Sequence, residues 1–428
     1  MILRIVEREV DEAALVVVRA ETYMVRLAND EVSVSKSWAT EEHHLYLAKG
    51  KKYAIVSSTG ELDISAVEDA LRRLSSLPED PLYVPLKGEA LPTPREEREE
   101  DFEALADVAL EAARAAEGAE RNAGAAVLTY VSFQYEDTYG RRGRYSLNRA
   151  YLTIRSLRGD LAATSATAGR SLADLRPREV GEANSLLLRL AAGLPREPVQ
   201  PGRARLLLSP LVFGHLLGET VGGWMTGTAV ISGSSRYSPQ DLGAAVASSE
   251  LSVADATADE RAYGHTPFDF EGNRVERVQL LERGVLKAFL QNNRTAAKLG
   301  GRSTGHALRS WIYTSPGHVE AKAGDAPSDL EGLIAELKSG YYVHNNWYTR
   351  YQNIKTGQFS TVGRDVILAV RDGKPVAVVR HMRIADTLEA LLRNTAALSS
   401  RASQIYWWDM SVPATVPYAI VDGLGVTK

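Results

Sequence analysis

The stretch Leu206 to Val230, LLLSPLVFGHLLGETVGGWMTGTAV, sets one imidazole, His215, four residues before one carboxylate, Glu219, among glycines and apolar residues. Residues four apart share a helix face. With an acid from elsewhere this pair could hold a metal, although a core-facing or capping histidine is the commoner case. The other histidines offer less. His43 and His44 are adjacent in a strand pattern and point to opposite faces. His265, His306, His318, His344 and His381 show no H-x-H or H-E-x-x-H spacing. The chain has no cysteine, which excludes disulfides, thiolate nucleophiles and Cys-ligated zinc. Gly233-Ser-Ser-Arg lacks the second glycine of a nucleophile elbow. The glycine-rich run 218–227 fits neither phosphate-binding pattern. Tyr341 to Tyr351 suits a sheet face or a subunit interface more than a platform for stacking single-stranded bases, and Tyr406-Trp407-Trp408 suits a core or an interface more than a peptide-binding wall.

Period and punctuation predict the elements that position these residues. The first 60 residues read as a β-meander. Strands at Ala14–Ala20 and Thr22–Leu27 precede a turn at Asn29-Asp30, and Val32–Ser35, Leu45–Ala48 and Tyr53–Ser57 follow. A helix is expected over Ile64–Leu74, capped by Asp63, with Ser65 and Glu68 as a capping box. The longest helical pattern runs from Pro94 to Glu117, with Thr93, Pro94 and Glu96 as its start signal and Phe102, Leu105, Ala109, Ala112 and Ala116 on one face. The mixed charge run Arg95–Asp101 reads as its solvated side. Strands at Val127–Gln134, Arg149–Leu157 and Leu161–Thr167 and a helix at Arg178–Ala192 lead to a Pro-rich boundary at Pro195–Gly202. Beyond it come a strand at Arg205–Ser209 and a helix starting at Ser209-Pro210. Hairpins follow around Arg283-Gly284 and Asp372-Gly373, with helices at Asp329–Lys338 and Thr387–Leu398 and a closing strand at Tyr418–Val421. The order is no βαβα repeat. The expected fold class is α+β, with largely antiparallel sheets, packed helices and two domains, 1–198 and 203–428.

Composition narrows the partners. Of 428 residues, 44% are hydrophobic and 24% charged, the balance of a globular chain. Net charge is -4, so nucleic acid is an unlikely partner. Met1–Val10 has no uninterrupted apolar run, and no stretch approaches the ~20 apolar residues of a membrane helix. The expected location is cytoplasmic, with no membrane partner.

The Leu206–Val230 segment resembles the core of the TldD/PmbA family, whose catalytic members carry a helix reading G-x-L-L-H-E-x-x-G-H. Gly214, Leu216, Leu217, Glu219 and Gly222 match, while the two zinc histidines fall on Gly218 and Gly223. More landmarks follow in order: Pro267–Gly272 resembles F-D-x-E-G, Glu282–Leu286 its G-V-L hairpin, Arg294–Gly300 T-A-x-x-L-G, Ser303–Gly305 S-T-G, and Thr356–Ser360 T-G-x-F-S.

The resemblance implies a TldE/PmbA-type subunit that lacks the zinc ligands. Such a chain pairs with a zinc-bearing TldD-type chain into a heterodimeric metalloprotease for unfolded peptides. It implies no cofactor and no metal in this chain, with zinc in the catalytic partner. Glycine offers no donor, so Glu219 is a vestigial base without a metal-bound water to act on. Positions five apart lie about 140° round a helix, so a ligand pair there needs a distorted or ending helix, and Gly222-Gly223 suits an ending. His215, Glu219, Ser235, Tyr406 and Trp407 are the candidates to line a substrate cavity. Two alternatives stand: a homo-oligomeric peptidase with a non-standard site, using Glu219 and His215, or a non-catalytic homodimer that binds peptide or protein, as the family's label "modulator of DNA gyrase" suggests.

Overall fold

The computed structural model describes residues 2–86, 88–91, 95–96 and 101–428. A short helix, α1 (Ile2–Val6), precedes the first sheet. Its strands are β1 (Glu12–Ala28), β2 (Glu31–Lys49), β3 (Lys52–Thr59), β4 (Arg95–Glu96), β5 (Arg121–Asp137), β6 (Arg142–Arg158) and β7 (Leu161–Gly169), in the order β3-β2-β1-β5-β6 with β4 and β7 both on β6. Among the described residues only the β4–β6 pair of this sheet is parallel. The β1–β2 turn has Asn29 at φ 54° and Asp30 at φ 67°, the left-handed pair whose twist matches a two-residue hairpin. The strands run longer than their alternation suggested. β1 crosses both expected segments without a break, because pairing to β2 on one side and β5 on the other holds it throughout.

Helix α2 (Ile64–Leu74) lies where its signals put it. Asp63 caps it by accepting the Ser65 N–H at 2.9 Å, with no contribution from the expected Ser65/Glu68 box. Helix α3 (Ala104–Ala115) starts ten residues later than expected. Arg95 and Glu96 instead pair as a strand with β6, while Thr93, Pro94 and Glu97–Glu100 lie outside the described residues. The apolar stripe survives the shorter helix. Leu105, Ala109, Ala112 and Ala116 are buried, and Phe102 stacks on Tyr23 at 4.5 Å. Helix α4 (Pro177–Ala191) packs beside α3 and β7.

The second sheet contains β8 (Arg196–Pro198), β9 (Gly202–Leu208), β10 (Val253–Asp255), β11 (Val278–Glu282), β12 (Val285–Leu286), β13 (Val319–Ala321), β14 (Gly340–Asn353), β15 (Gln358–Arg371), β16 (Lys374–Arg380), β17 (Arg383–Thr387), β18 (Thr395–Ile405) and β19 (Ala414–Thr427). Its main path is β12-β11-β10-β13-β19-β9-β14-β15-β16-β8, so the chain enters this sheet already at Arg196. The helices here are α5 (Pro210–Trp224), α6 (Gly227–Ser232), α7 (Asn293–Leu299), α8 (Leu330–Leu337) and α9 (Leu388–Arg393). Helix α9 ends earlier than expected. Thr395–Leu398 is strand, drawn into register against Ala419–Val421 of β19.

The fold is α+β with largely antiparallel sheets, and its two halves share cores. Phe133 and Tyr145 of the first sheet stack at 5.0 Å and meet Phe268 edge-on at 5.6 and 5.0 Å. Trp311 closes the same cluster from the second half. Burying such rings is worth several kcal/mol each, so the halves stabilise one another.

Candidate functional site

The site grows from β9. Leu206, Leu207 and Leu208 are fully buried between β14, parallel on one side, and β19, antiparallel on the other. A central strand covered on both faces needs such a run. Ser209 then turns the chain: its hydroxyl accepts the Val212 N–H at 3.4 Å and donates to the His344 carbonyl, and Pro210 occupies the first turn. Helix α5 is buried almost all round. Only Glu219, Gly222 and Gly223 reach partial exposure, so one short stretch of an otherwise apolar helix faces open space.

That space is a cavity of about 270 Å³. Gly218, Glu219, Gly222 and Gly223 form one wall, and Arg309, Thr314–Pro316, Tyr351, Ile354, Ser411 and Val412 complete most of the rest. Ser411 Oγ donates to Glu219 Oε1 at 2.5 Å. The Tyr351 hydroxyl is buried without a hydrogen-bond partner among the described residues, and burial together with the Glu219 carboxylate pushes its pKa up. The glycines differ. A Cβ on Gly218 would stand 3.3 Å from Val412 Cβ, a close fit. On Gly222 and Gly223 its nearest neighbours would be Pro316 Cγ at 3.9 Å and Ile354 Cγ2 at 3.8 Å, ordinary contact with room beyond. The helix does end beside the pair, at Trp224, but neither glycine has a positive φ, and Met225 caps it at φ -108°.

The donor set does not fit zinc. A peptidase site needs three imidazole or carboxylate ligands and an open position. Glu219 is the only such side chain in the cavity wall, and among the described residues no three His, Cys, Asp or Glu side chains gather as a metal site.

Of the five residues expected to line a cavity, the structure brings only Glu219 to this one. His215 points elsewhere. Its Nδ1 lies 3.4 Å from Asn346 Nδ2, and burial lowers its pKa to about 4, so it is neutral and shares no site with Glu219. Ser235 is buried in the turn after α6, donating to the Trp224 carbonyl at 2.7 Å and accepting the Tyr237 N–H at 2.9 Å. Tyr406 stacks on Tyr263 at 4.8 Å and meets Tyr151 of β6 edge-on, joining the halves. Trp407 is core, and its exposed neighbour Trp408, at 62%, is the surface residue. Sequence reasoning missed Arg309, Ser411 and Val412, which carry no motif. Tyr351 lay in the aromatic run but could not be told from its neighbours.

The remaining landmarks turn out to hold the frame. Asp269 accepts the N–H groups of Glu271, Asn273 and Ala307 at 3.0, 2.9 and 3.0 Å. Glu271 accepts the Asn293 N–H at 2.8 Å. Asp255 accepts from Thr257 and Gly317 and lies 3.1 Å from His306 Nε2, with both side chains fully buried. Gly357, at φ 68°, lies against Trp224, where a Cβ would come within 2.3 Å of the indole.

Comparison with known proteins agrees with this architecture. The PmbA/TldA metallopeptidase C-terminal domain matches residues 201–428, and PmbA/TldA metallopeptidase domain 1 matches residues 13–77. The chain therefore belongs to the TldD/PmbA family. It is 27% identical to Metalloprotease PmbA of Escherichia coli O157:H7 over 240 residues, 55% of this chain and 49% of that protein. It is 28% identical to Metalloprotease PmbA homolog of Haemophilus influenzae over 178 residues, 40% of this chain and 37% of that one. These matches thus span half or less of the relatives' own length. The fold is that of TldE from Thermococcus kodakarensis, with a TM-score of 0.82 at 18% identity over 100% of this chain and 99% of that one. No helix among the described residues is long and apolar enough to cross a membrane.

Proposed function

We propose that this chain is a non-catalytic subunit of a TldD/PmbA-family metallopeptidase complex, paired with a TldD-type chain that supplies the zinc, and that its Glu219 cavity helps to hold unfolded peptide. One observation carries the reading. Where the resemblance places the two zinc histidines, Gly218 and Gly223 border a cavity whose only carboxylate, Glu219, accepts a bond from Ser411. Glycines at 222 and 223 leave space that packing does not require. A cavity of about 270 Å³ admits one or two side chains of an extended peptide and excludes a folded protein.

Co-expression with a TldD-type chain tests this. The expected result is a stable complex that cleaves unfolded peptide, while this chain alone does not and holds less than about 0.1 zinc after dialysis against metal-free buffer. Near one zinc per isolated chain, with peptidase activity that a chelator removes, would overturn the reading.

A further inference from the structure

Glu219 is the only carboxylate in the wall of its cavity, and Ser411 donates to its Oε1. Arg309, the one cation of the lining, is exposed, and among the described residues no ion pair joins it to Glu219. Two hydroxyls of the same lining, those of Tyr351 and Ser315, are buried without a hydrogen-bond partner among the described residues. Tyr351 is a neighbour of Glu219: burial raises its pKa, and the carboxylate raises it further. An unpaired buried hydroxyl is unfavourable, and a ligand that donates to it relieves that cost. Much of the remaining wall is apolar, with Trp224, Pro316, Ile354, Leu388 and Val412, and Gly222 and Gly223 add no side chain to fill the space.

We infer that the cavity selects a primary ammonium group of an unfolded peptide, which donates to the Glu219 carboxylate and to the Tyr351 hydroxyl beside it. The inference rests on the peptide-holding role proposed above and adds what the peptide must carry at that point. An ammonium has three N–H donors and no acceptor, and the cavity offers it acceptors: a carboxylate and, in the same lining, two hydroxyl oxygens. Two sources present that group, a lysine side chain and a peptide N-terminus. The apolar wall favours lysine, whose methylene stem can lie along Ile354 and Val412. Arginine fits less well, because its planar fork binds a carboxylate through both oxygens and Oε1 is already engaged by Ser411. An acidic side chain would meet like charge. An aliphatic one would take water from Glu219 and return no donor.

Peptide binding to the full chain, read by fluorescence anisotropy at low salt, tests this without the partner chain. Four labelled peptides share one unstructured sequence. Three are N-acetylated and carry lysine, arginine or norleucine at one internal position, and the fourth has norleucine there and a free N-terminus. The acetylated lysine peptide is expected to bind about tenfold more tightly than the acetylated norleucine and arginine peptides. Glu219→Gln keeps the shape and an oxygen for Ser411, so it should remove most of that preference and leave the acetylated norleucine peptide unchanged. Tyr351→Phe should weaken the lysine peptide by a smaller factor. Tightest binding by the free N-terminus, lost in Glu219→Gln, would uphold the ammonium site and assign it to chain ends. Equal binding of the acetylated lysine and norleucine peptides with no gain from a free N-terminus, or a preference indifferent to Glu219→Gln, would overturn the inference and leave the peptide-holding role standing. Binding of none of the four would overturn both.

Discussion

Two groups of carboxylates in this molecule look alike in sequence and do opposite things. Asp255, Asp269 and Glu271 are fully buried and tied to backbone N–H groups. Glu219 is half-buried, borders a cavity and, among the described residues, accepts a hydrogen bond from the hydroxyl of Ser411. A buried carboxylate with several donors is committed to folding. One with a single exposed partner remains available to a ligand. The difference teaches that in this family segment the acidic landmarks around residue 270 build the frame, while the frame leaves one acid free at the end of α5.

The sharpest test is Asp269→Ala. It strands three N–H groups in the interior, each costing about 1–3 kcal/mol, so a loss of about 3 kcal/mol or more is expected in urea unfolding. A loss below about 1 kcal/mol would break the contrast with Glu219.

Acidification comes next. Burial holds His215, His318 and His344 to about 4, against an unfolded value of 6.5. The unfolded chain therefore binds protons first, and the stability these groups contribute is full above 6.5 and drains as pH falls toward 4. Asp269 acts in the opposite sense. Burial raises it to about 6, so its contribution is present at low pH and is lost as pH rises through 6. Glu271, pushed well up by burial and by the Asp269 carboxylate beside it, acts in the same sense as Asp269. The three histidines are expected to dominate, so that the urea midpoint drops from pH 7.5 to pH 4.5; a rise would mean that the carboxylate pair does. Asp269→Asn should make the drop steeper if the opposing sense is right.

A smaller effect separates packing from function in α5. Gly223→Ala adds a Cβ in ordinary contact with Ile354 inside a helix, so it should stabilise the chain by about 0.5–1 kcal/mol. Gly218→Ala presses on Val412 and should gain less or lose. Equal gains at both would mean that Val412 yields freely.

The smallest expected change is Tyr351→Phe. Its hydroxyl has no partner among the described residues, so removing it should alter stability by less than about 1 kcal/mol, in the favourable direction, by thermal unfolding in parallel with the parent chain.

Much was legible in the sequence because the signals are local. The Asp63 cap, the Asn29-Asp30 and Asp372-Gly373 turns and the Ser209-Pro210 helix start each depend on neighbours a few residues away. Long-range pairing decided the rest. It fused two short strand patterns into β1, took Arg95-Glu96 and Thr395–Leu398 from expected helices into sheets, and gathered Arg309, Tyr351 and Ser411 round Glu219 from segments that share no motif. By itself the sequence determined that Gly218 and Gly223 can donate nothing to a metal, because that follows from residue type alone. Only the tertiary structure decided that Glu219 faces a cavity while His215, one turn away on the same helix, is sealed against Asn346, because which arc of a buried helix meets open space is set by what packs around it.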